Sequence, residues 1–246
     1  MSLTTNQVKF YRDNGYLAVE NVIPLDVVAA EKERFDWLCK NWDSPEAQRV
    51  NVAHETGLPR EKWSAKTVRK AHRLVPHEPL FRAHALHRNL LDIVADLIGT
   101  PFSLYDDQAL LKPPSVGSPK PPHQDNAYFK VQPADAVITC WCAIDEATLE
   151  NGCMRYFPGT HKRGLLEHKW IPNTPHQVPD GFTIDQSVPV PLKPGGIAFH
   201  HGLCLHMSGQ NTSPNWRRSF ICHYVRDDAD LSQASAPREK LVHVRD

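Results

Sequence analysis

Two side chains that can bind a metal ion, His123 and Asp125, lie two residues apart. Residues at positions i and i+2 of a β-strand point to the same face, so a strand here would present both side chains to one ion. Prolines that precede the pair restrict the backbone and keep the approach to it extended. With 14 histidines and 28 acidic residues in the chain, chance alone supplies about one or two such pairs. A metal site therefore requires a third ligand from elsewhere in the chain.

Candidates for the third ligand lie in an apolar stretch that contains His200, His201 and His206. Burying an imidazole among apolar side chains costs free energy unless the ring finds a partner, and a metal ion is one such partner. Two histidines and one carboxylate suit non-haem Fe(II), because this set leaves coordination positions open for a co-substrate and O2. Zinc with the same three ligands and a water molecule is the rival assignment.

Arg217 and Arg218 are adjacent at the start of a predicted strand, where neighbouring side chains point to opposite faces. One of them would therefore enter the interior. A buried guanidinium is costly without an anion, whereas a facing carboxylate gives a bidentate, charge-assisted pair. A dicarboxylate co-substrate would meet this requirement. Both alternating sets of the strand mix polar and apolar residues, so the pattern does not decide which arginine points inwards.

The first hundred residues are predicted to be mainly helical. A helix follows Thr4 and ends at Gly15, a strand covers residues 16–23, and Asp26 caps a second helix. Residues 61–74 have helical character, and an apolar stripe at i, i+3 and i+4 spacing predicts a helix over residues 90–98 that ends at Gly99. The basic residues between positions 62 and 73 favour one solvated helix face over a contact with an anionic substrate.

From Phe102 onwards, Pro, Gly and Asn separate short β-rich runs. These runs cover residues 102–111, 136–144, 153–157, 188–191, 196–200 and 218–225. Helices followed by many short strands predict an α+β fold whose second half is a sandwich or jelly roll. We expect a single domain over residues 1–246, with a helical N-terminal part at 1–101 and a jelly-roll core at 102–228. The long polar segment 161–186 is typical of a functional lid.

The motifs together resemble one known family over almost the whole chain, in order and with compatible spacing. They are Phe10 with Asn14-Gly15-Tyr16-Leu17, Lys112-Pro113-Pro114, Pro122-His123-Gln124-Asp125, Trp141-Cys142-Ala143-Ile144-Asp145, Asn151-Gly152-Cys153, Pro158-Gly159-Thr160-His161, and His206-Met207-Ser208-Gly209-Gln210-Asn211 followed by Arg217. In these residues the chain resembles the phytanoyl-CoA dioxygenase family of Fe(II)- and 2-oxoglutarate-dependent oxygenases.

This resemblance implies a double-stranded β-helix, cupin-like, with the N-terminal helices packed on it. It places His123, Asp125 and His206 on the iron, and Arg217 on the far carboxylate of 2-oxoglutarate. The other positions that it implies for the co-substrate are Ser208, Trp141, Gln108 and Arg69. The implied reaction hydroxylates, or otherwise oxidises, a small organic substrate with O2 and releases succinate and CO2. Because Asp125 is retained, the resemblance is to oxygenases rather than to relatives that halogenate.

The amino-acid composition limits the classes of molecule that the protein is expected to bind. Lys and Arg number 28, as do Asp and Glu, and the resulting net charge of zero provides no field for binding nucleic acid or an anionic membrane. Six cysteines without a Cys-x-x-Cys pair favour a reduced, cytoplasmic protein, and no apolar run is long enough to span a bilayer. Two alternatives use the same three ligands: a zinc-dependent hydrolase, which needs no deep arginine, and a non-catalytic metal-binding jelly roll.

Overall fold

Two antiparallel β-sheets form the body of the protein in the computed structural model, which describes residues 1–172, 174 and 176–245. The large sheet contains eight strands and the small sheet four, and a separate two-stranded ribbon lies in the segment 161–186. The strands are β1 (Tyr16–Val19), β2 (Ala53–His54), β3 (Val68–His72), β4 (Phe102–Lys112), β5 (Lys120–His123), β6 (Val137–Ala143), β7 (Met154–Tyr156), β8 (Lys169–Trp170), β9 (Gln177–Val178), β10 (Val188–Val190), β11 (Ile197–His201), β12 (His206–Ser208), β13 (Arg217–Arg226) and β14 (Val242–Arg245).

The strand order shows how distant parts of the chain meet. The large sheet runs β1-β11-β6-β13-β4-β3-β2, with β14 paired to β4, and the small sheet runs β10-β7-β12-β5. Neighbouring strands are far apart in sequence, as expected for a jelly roll. The predicted double-stranded β-helix is confirmed, and strands from the N-terminal hundred residues extend its large sheet on both sides.

Six α-helices accompany the sheets in the described part of the chain. They are α1 (Thr5–Asn14), α2 (Leu25–Lys40), α3 (Pro45–Gln48), α4 (Pro79–Ala85), α5 (Arg88–Ile98) and α6 (Asn126–Phe129). The Thr4 side chain and Gln7 form a capping box at the start of α1, and Gly15 ends it with a φ of 82°. None of the helices that are described combines the length and apolar character needed to cross a bilayer.

The two larger of the three buried apolar clusters lie on opposite faces of the large sheet. On the outer face, Phe220 and Tyr224 of β13 pack with residues of the N-terminal helices, such as Phe81 of α4. On the inner face, Trp141 and Ile221 join residues of the small sheet. Burial on both faces removes the polar–apolar alternation that would mark a half-exposed strand, and β13 is buried along nearly its whole length.

Three expectations for the N-terminal part are wrong. Residues 61–74 form two short 3-10 turns and then β3, which pairs with β4. Tertiary pairing overrides local propensity here. Helix α2 begins at Leu25 after Pro24, so Asp26 lies in its first turn rather than at its cap. The strand predicted over residues 16–23 ends at Val19. The helices ending at Gly15 and Gly99 are confirmed.

Candidate active site

A cavity of about 360 Å³ contains every site residue predicted from the sequence. Its lining includes His123, Asp125, His206, Arg217, Ser208, Trp141, Gln108 and Arg69. Both sheets contribute, since His206 and Ser208 lie on β12, whereas Trp141 and Arg217 lie on β6 and β13. The volume falls in the lower part of the range for small-molecule sites, ~300–1,000 Å³. The cavity therefore suits small organic molecules.

His123, Asp125 and His206 form a cluster that can hold one metal ion. Their ligand atoms all lie within 4.8 Å of one another, with Asp125 Oδ1 at 3.6 Å from His123 Nε2 and at 3.7 Å from His206 Nε2. The Nδ1 atoms of both rings donate to carbonyls, of Pro121 at 2.8 Å and of Cys204 at 3.0 Å. These bonds assign the protons to Nδ1 and leave both Nε2 lone pairs for the ion.

Strand pairing and a turn bring the three residues of this cluster together. His123 ends β5 and pairs directly with His206 of β12. Asp125 does not lie on the strand, as the spacing had predicted, but in the following turn, with φ −59° and ψ −39° at the start of α6. The turn, rather than the pleat of a strand, places its carboxylate beside both rings.

The protonation states of the cluster suit a divalent cation. Burial lowers the pKa of His206 to about 4, with the neighbouring His200 adding to the shift. Burial, and then His206, holds the pKa of His123 well below its usual value. Burial alone would raise the pKa of Asp125, but nearby His206 and a hydrogen bond from His200 outweigh it and lower this pKa well below its usual range. The site thus offers two neutral imidazoles and one carboxylate at neutral pH.

A buried hydrogen-bond network fixes the second oxygen of Asp125. Thr139 Oγ1 donates to Asp125 Oδ2 at 2.6 Å, and His200 Nε2 donates to the same atom at 3.0 Å. The carboxylate accepts only, so Nδ1 of His200 accepts from the Tyr156 hydroxyl at 3.0 Å. Thr139 in turn accepts from His223 Nδ1 at 2.9 Å. Every bond in this network is directed towards Asp125, which leaves Oδ1 as the atom that faces the histidines.

The segment before His206 is held by the motif Pro158-Gly159-Thr160-His161. Thr160 Oγ1 donates to the carbonyl of Phe157 at 2.7 Å and accepts from the amide of Leu205 at 3.0 Å. Leu205 immediately precedes the third ligand, so the motif positions that ligand through the backbone.

Arg217 and Trp141 lie at the closed end of the cavity, and each is 1% exposed. The guanidinium carbon lies 5.2 Å from the centre of the indole ring. Within the described chain, Arg217 Nε and Trp141 Nε1 are buried without a hydrogen-bond partner, and Arg217 reaches only Ser219 Oγ, at 3.2 Å. Burial lowers the pKa of Arg217 to about 9. Two buried donors in one cavity without acceptors are an unsatisfied arrangement that an anionic ligand would complete.

Arg218 points to the opposite face, which settles the alternative left open by the strand pattern. It makes a bidentate pair with Asp145, at 2.7 Å from Nε and 3.0 Å from Nη2, and also contacts Asp36 of α2. Its charge is therefore already compensated outside the cavity, whereas that of Arg217 is not.

The remaining predicted residues lie farther along the cavity wall. Ser208 is buried on β12, and Gln108 Nε2 donates to His223 Nε2 at 3.2 Å. Arg69 lies on β3, partly exposed. The expected solvated helix face is wrong, because Arg69 and its neighbour Lys70 are strand residues that both line the cavity.

The segment 161–186 packs against the metal-bearing turn. Gln124 lies between His123 and Asp125 in the sequence. Its side-chain Nε2 donates to the carbonyl of Gly164 at 3.0 Å, and its Oε1 accepts from the backbone amide of Leu166 at 2.8 Å. The backbone amide of Gln124 donates to His168 Nε2 at 3.2 Å. Residues 173 and 175 of this predicted lid lie outside the described residues. The contacts place the segment beside the site, while its opening and closing stay a prediction.

Sequence reasoning missed several residues of the site. Thr139 carried no signal, because an isolated threonine in a buried strand is unremarkable by pattern. His200 and His223 are hydrogen-bond partners of Asp125 and Thr139 rather than members of the ligand cluster. Lys70 and Lys120 also line the cavity.

The sequence of the chain is similar to those of known proteins. The family model "Phytanoyl-CoA dioxygenase (PhyH)" matches residues 11–219. A "Probable phytanoyl-CoA dioxygenase" of Caenorhabditis elegans is 33% identical over 239 residues, which cover 92% of this chain and 76% of the relative. The "Phytanoyl-CoA dioxygenase, peroxisomal" of Mus musculus is 28% identical, over 98% of this chain and 73% of the relative.

A solved structure shares the fold. The non-heme epimerase SnoN in complex with Fe3+, alpha ketoglutarate and nogalamycin RO superposes with a TM-score of 0.72 at 22% identity, covering 98% of this chain and 94% of that one. The match of the family model over most of the chain, together with the relative at 33% identity, decides the classification. The chain belongs to the phytanoyl-CoA dioxygenase family.

Proposed function

We propose that this dioxygenase binds Fe(II) through His123, Asp125 and His206 and seats 2-oxoglutarate with its far carboxylate on Arg217. It hydroxylates, or otherwise oxidises, a small organic substrate with O2, releasing succinate and CO2. The observation that carries the proposal is the buried Arg217 guanidinium, which lines the same cavity as the ligand cluster and has no carboxylate within 4.0 Å among the described residues.

The residues present fit both groups. Two imidazole nitrogens and one carboxylate are the donor set preferred by non-haem Fe(II), and they leave room for a bidentate co-substrate. The unpartnered N–H groups of Arg217 and Trp141 supply the donors that a carboxylate requires. In the named SnoN complex, iron and alpha ketoglutarate occur together on the same fold.

Bound iron supplies the activation of O2 that is coupled to oxidative decarboxylation of the 2-oxo acid. The protein's own residues set the geometry beforehand. Arg217 anchors one end of the co-substrate, which converts a bimolecular encounter into an oriented one. Trp141 Nε1 donates a second hydrogen bond there, and Ser208, Gln108 and Arg69 complete the co-substrate's surroundings. Segment 161–186 excludes water from the metal-bearing turn.

The zinc hydrolase alternative does not account for the buried arginine. A metal-bound hydroxide needs a general base nearby but no guanidinium at the closed end of the cavity. A non-catalytic jelly roll likewise has no need of a buried, uncompensated charge. Family membership supports the oxygenase and neither of these alternatives.

The decisive experiment compares Arg217→Ala with Arg226→Ala, a matched change at the other end of β13 where the side chain is partly exposed. After anaerobic Fe(II) loading, succinate formation is measured against 2-oxoglutarate concentration. Loss of a buried, charge-assisted pair costs about 2–5 kcal/mol, so we expect KM for 2-oxoglutarate to rise about 30-fold or more in Arg217→Ala. Arg226→Ala should match wild type.

Metal affinity distinguishes a specific loss of 2-oxoglutarate binding from a general loss of structure in the variant. Co(II) affinity, followed by its visible absorption, should be nearly unchanged in Arg217→Ala. An unchanged KM in Arg217→Ala, or no succinate from wild-type protein with or without a substrate panel, would overturn the proposal.

We further propose that the protein resides in a reducing compartment, the cytoplasm, and that it binds no nucleic acid. All six cysteines are free and buried, which favours reducing surroundings, and the net charge is zero. The mouse relative is named as peroxisomal, so subcellular fractionation against a peroxisomal marker is the test. Co-sedimentation with the peroxisomal marker would contradict a cytoplasmic location.

A further inference from the structure

Lys112, the last residue of β4, buries a positive charge next to the active-site cavity. Its side chain is only 5% exposed, and lysine is almost never buried to this extent unless it is paired. The ammonium group nevertheless has no carboxylate within 4.0 Å among the residues that the structure describes. It donates instead to two backbone carbonyls, of Ser118 at 2.6 Å and of Gly209 at 2.7 Å. The fold therefore retains a buried cation that no ion pair explains.

The register of the large sheet places this cation beside Arg217. Gln108 and Leu110 line the cavity, and Lys112 continues their row because alternate residues of a strand share a face. On the neighbouring strand β13, Arg217 is the direct partner of Lys112. Side chains at directly paired positions stand on the same face, with Cβ atoms about 4.5–5.5 Å apart. Lys112 thus lies behind Arg217 at the closed end of the cavity, outside the lining itself.

The two neighbouring cations repel each other. Like charges at directly paired positions destabilise a sheet. Burial, and then the charge of Arg217, lower the pKa of Lys112 well below its usual value, while Glu55 opposes the shift. Glu55 is itself engaged with Ser118, whose backbone amide and hydroxyl both donate to its carboxylate. A carboxylate seated on Arg217 would relieve repulsion that Glu55 offsets only in part, and it would favour the charged form of Lys112.

Backbone contacts hold the Lys112 ammonium in place. Gly209, whose carbonyl accepts from it, directly follows Ser208 at the end of β12. Asn211 Nδ2 donates back to the carbonyl of Lys112 at 2.9 Å. A Cβ atom at Gly152 would lie 2.4 Å from the Gly209 carbonyl oxygen, so that oxygen is closely enclosed. The charge of Lys112 therefore acts on the closed end of the cavity from a fixed position.

We propose that Lys112 is a positioning residue for 2-oxoglutarate, a second cation that attracts the far carboxylate from behind Arg217 without touching it. This inference rests on the proposed function, because it takes the far carboxylate to lie on Arg217. Lys112 then contributes to the selection of a dicarboxylate over a 2-oxo acid whose far end is uncharged. For two unit charges about 10 Å apart at an effective dielectric constant near 20, Coulomb's law gives about 15-fold in affinity.

The test compares 2-oxoglutarate with 2-oxopentanoate, which has a methyl group in place of the far carboxylate. Each is titrated calorimetrically, without O2, into Fe(II)-loaded wild type, Lys112→Gln and Lys112→Met. Glutamine keeps N–H donors for the backbone carbonyls and loses only the charge. We expect both variants to bind 2-oxoglutarate about 10-fold more weakly than wild type does, and 2-oxopentanoate equally well. Lys193→Met, at an exposed lysine, should behave as wild type.

A purely structural role of Lys112 would give a different result. It would weaken both 2-oxo acids alike, and the affinity for Co(II) would fall with them. An equal loss for both ligands, or an undiminished preference for 2-oxoglutarate in Lys112→Gln, would therefore overturn the inference. If Lys112→Met does not fold, the result for Lys112→Gln decides.

The wild-type protein distinguishes failure of this inference from failure of the proposed function. If wild type binds both 2-oxo acids equally well, the far carboxylate is not seated on Arg217 and the proposed function fails. If wild type prefers 2-oxoglutarate and Lys112→Gln keeps that preference, only the role of Lys112 fails.

Discussion

Asp125 illustrates how much the chemistry of this site depends on groups around a single residue. Thr139 and His200 both donate to Oδ2, and only Oδ1 is left towards the two histidines. Hydrogen-bonding partners of metal ligands fix ligand orientation, and their loss typically costs 10–100-fold in metal affinity. With Oδ2 engaged in this way, Asp125 would offer an ion one oxygen, Oδ1, which would leave other positions on the ion free for the proposed co-substrate and O2.

Removing the Thr139 hydroxyl tests this restriction. Thr139→Val keeps the shape of the side chain but takes one donor from Asp125 Oδ2 and the acceptor from His223 Nδ1. We expect Co(II) affinity to fall about 10-fold or more, measured by absorbance titration of the unloaded protein. Thr212→Val, at an exposed threonine, is the control. Wild-type affinity in Thr139→Val would show that Asp125 is oriented without Thr139.

At the scale of elements, strand β13 serves both faces of the large sheet. Arg217 enters the cavity, while Arg218 pairs with Asp145 and with Asp36 of α2. The same strand thereby supplies the proposed anchor for the co-substrate and links helix α2 to the outer face. These two functions are separable because the side chains point in opposite directions.

Arg218→Met should damage stability without changing co-substrate binding. Removing one partner of a buried ion pair typically costs about 3–5 kcal/mol, because the other charge stays buried. Lys32 lies 3.0 Å from Asp145 and offsets part of this, so we expect a value near the lower end. Denaturant unfolding measures the loss, and KM for 2-oxoglutarate should stay at the wild-type value. Full stability in Arg218→Met would contradict the assignment of this ion pair as a fastening of α2.

Asp107 of β4 connects the sheet to the turn before α4. Its Oδ1 accepts from the amides of Leu74 at 2.6 Å and Val75 at 3.1 Å. Burial raises the pKa of this carboxyl to about 6, although both hydrogen bonds oppose the shift. The folded state therefore binds this proton more tightly than the unfolded chain does, and stability decreases as pH rises from about 4 to about 6.

Asp107→Asn should remove that pH dependence. The amide oxygen can still accept both backbone bonds, and no charge has to be buried. We expect the variant to be more stable than wild type at pH 7, by about 1–3 kcal/mol, and the two to converge near pH 4. Urea unfolding at a series of pH values measures both. A less stable variant at pH 7 would mean that the ionised carboxylate is the favoured form in the fold.

For the whole molecule, the site exists only when the two sheets face each other. His123 and His206 belong to the small sheet, and Arg217 and Trp141 to the large one. A ligand that contacts both sheets binds the folded state alone, so it must stabilise the entire fold by mass action.

Ligand removal should therefore lower thermal stability in two separable steps. Mn(II) and 2-oxoglutarate, each at about 100 times its Kd, should each add about 2.7 kcal/mol, or roughly 5–10 °C in Tm for a chain of this length. Calorimetry with and without EDTA measures both increments. Arg217→Ala should lose the increment from 2-oxoglutarate and keep that from Mn(II). An intact 2-oxoglutarate increment in this variant would place the co-substrate elsewhere.

Local patterns in the sequence determined those features that depend on near neighbours. The cap at Thr4 and the stop at Gly15 define α1, and the apolar stripe before Gly99 defines α5, because helix ends are decided by adjacent backbone groups. The ordered motifs, through the family that they resemble, indicated the fold class and the ligand set His123, Asp125 and His206, whose ligand atoms lie within 4.8 Å of one another. The spacing of His123 and Asp125 alone did not, because chance supplies such pairs.

Only the tertiary structure decided which side chains of the buried strands face the cavity. Arg217 and Arg218 could not be told apart by pattern, since β13 is buried on both faces and has no polar side. Thr139 and Lys70 belong to the site through pairings between strands far apart in the chain, and residues 68–72 became a strand by pairing with β4. Such long-range contacts leave no periodic trace in the sequence, because each depends on the position of a partner that local propensity does not encode.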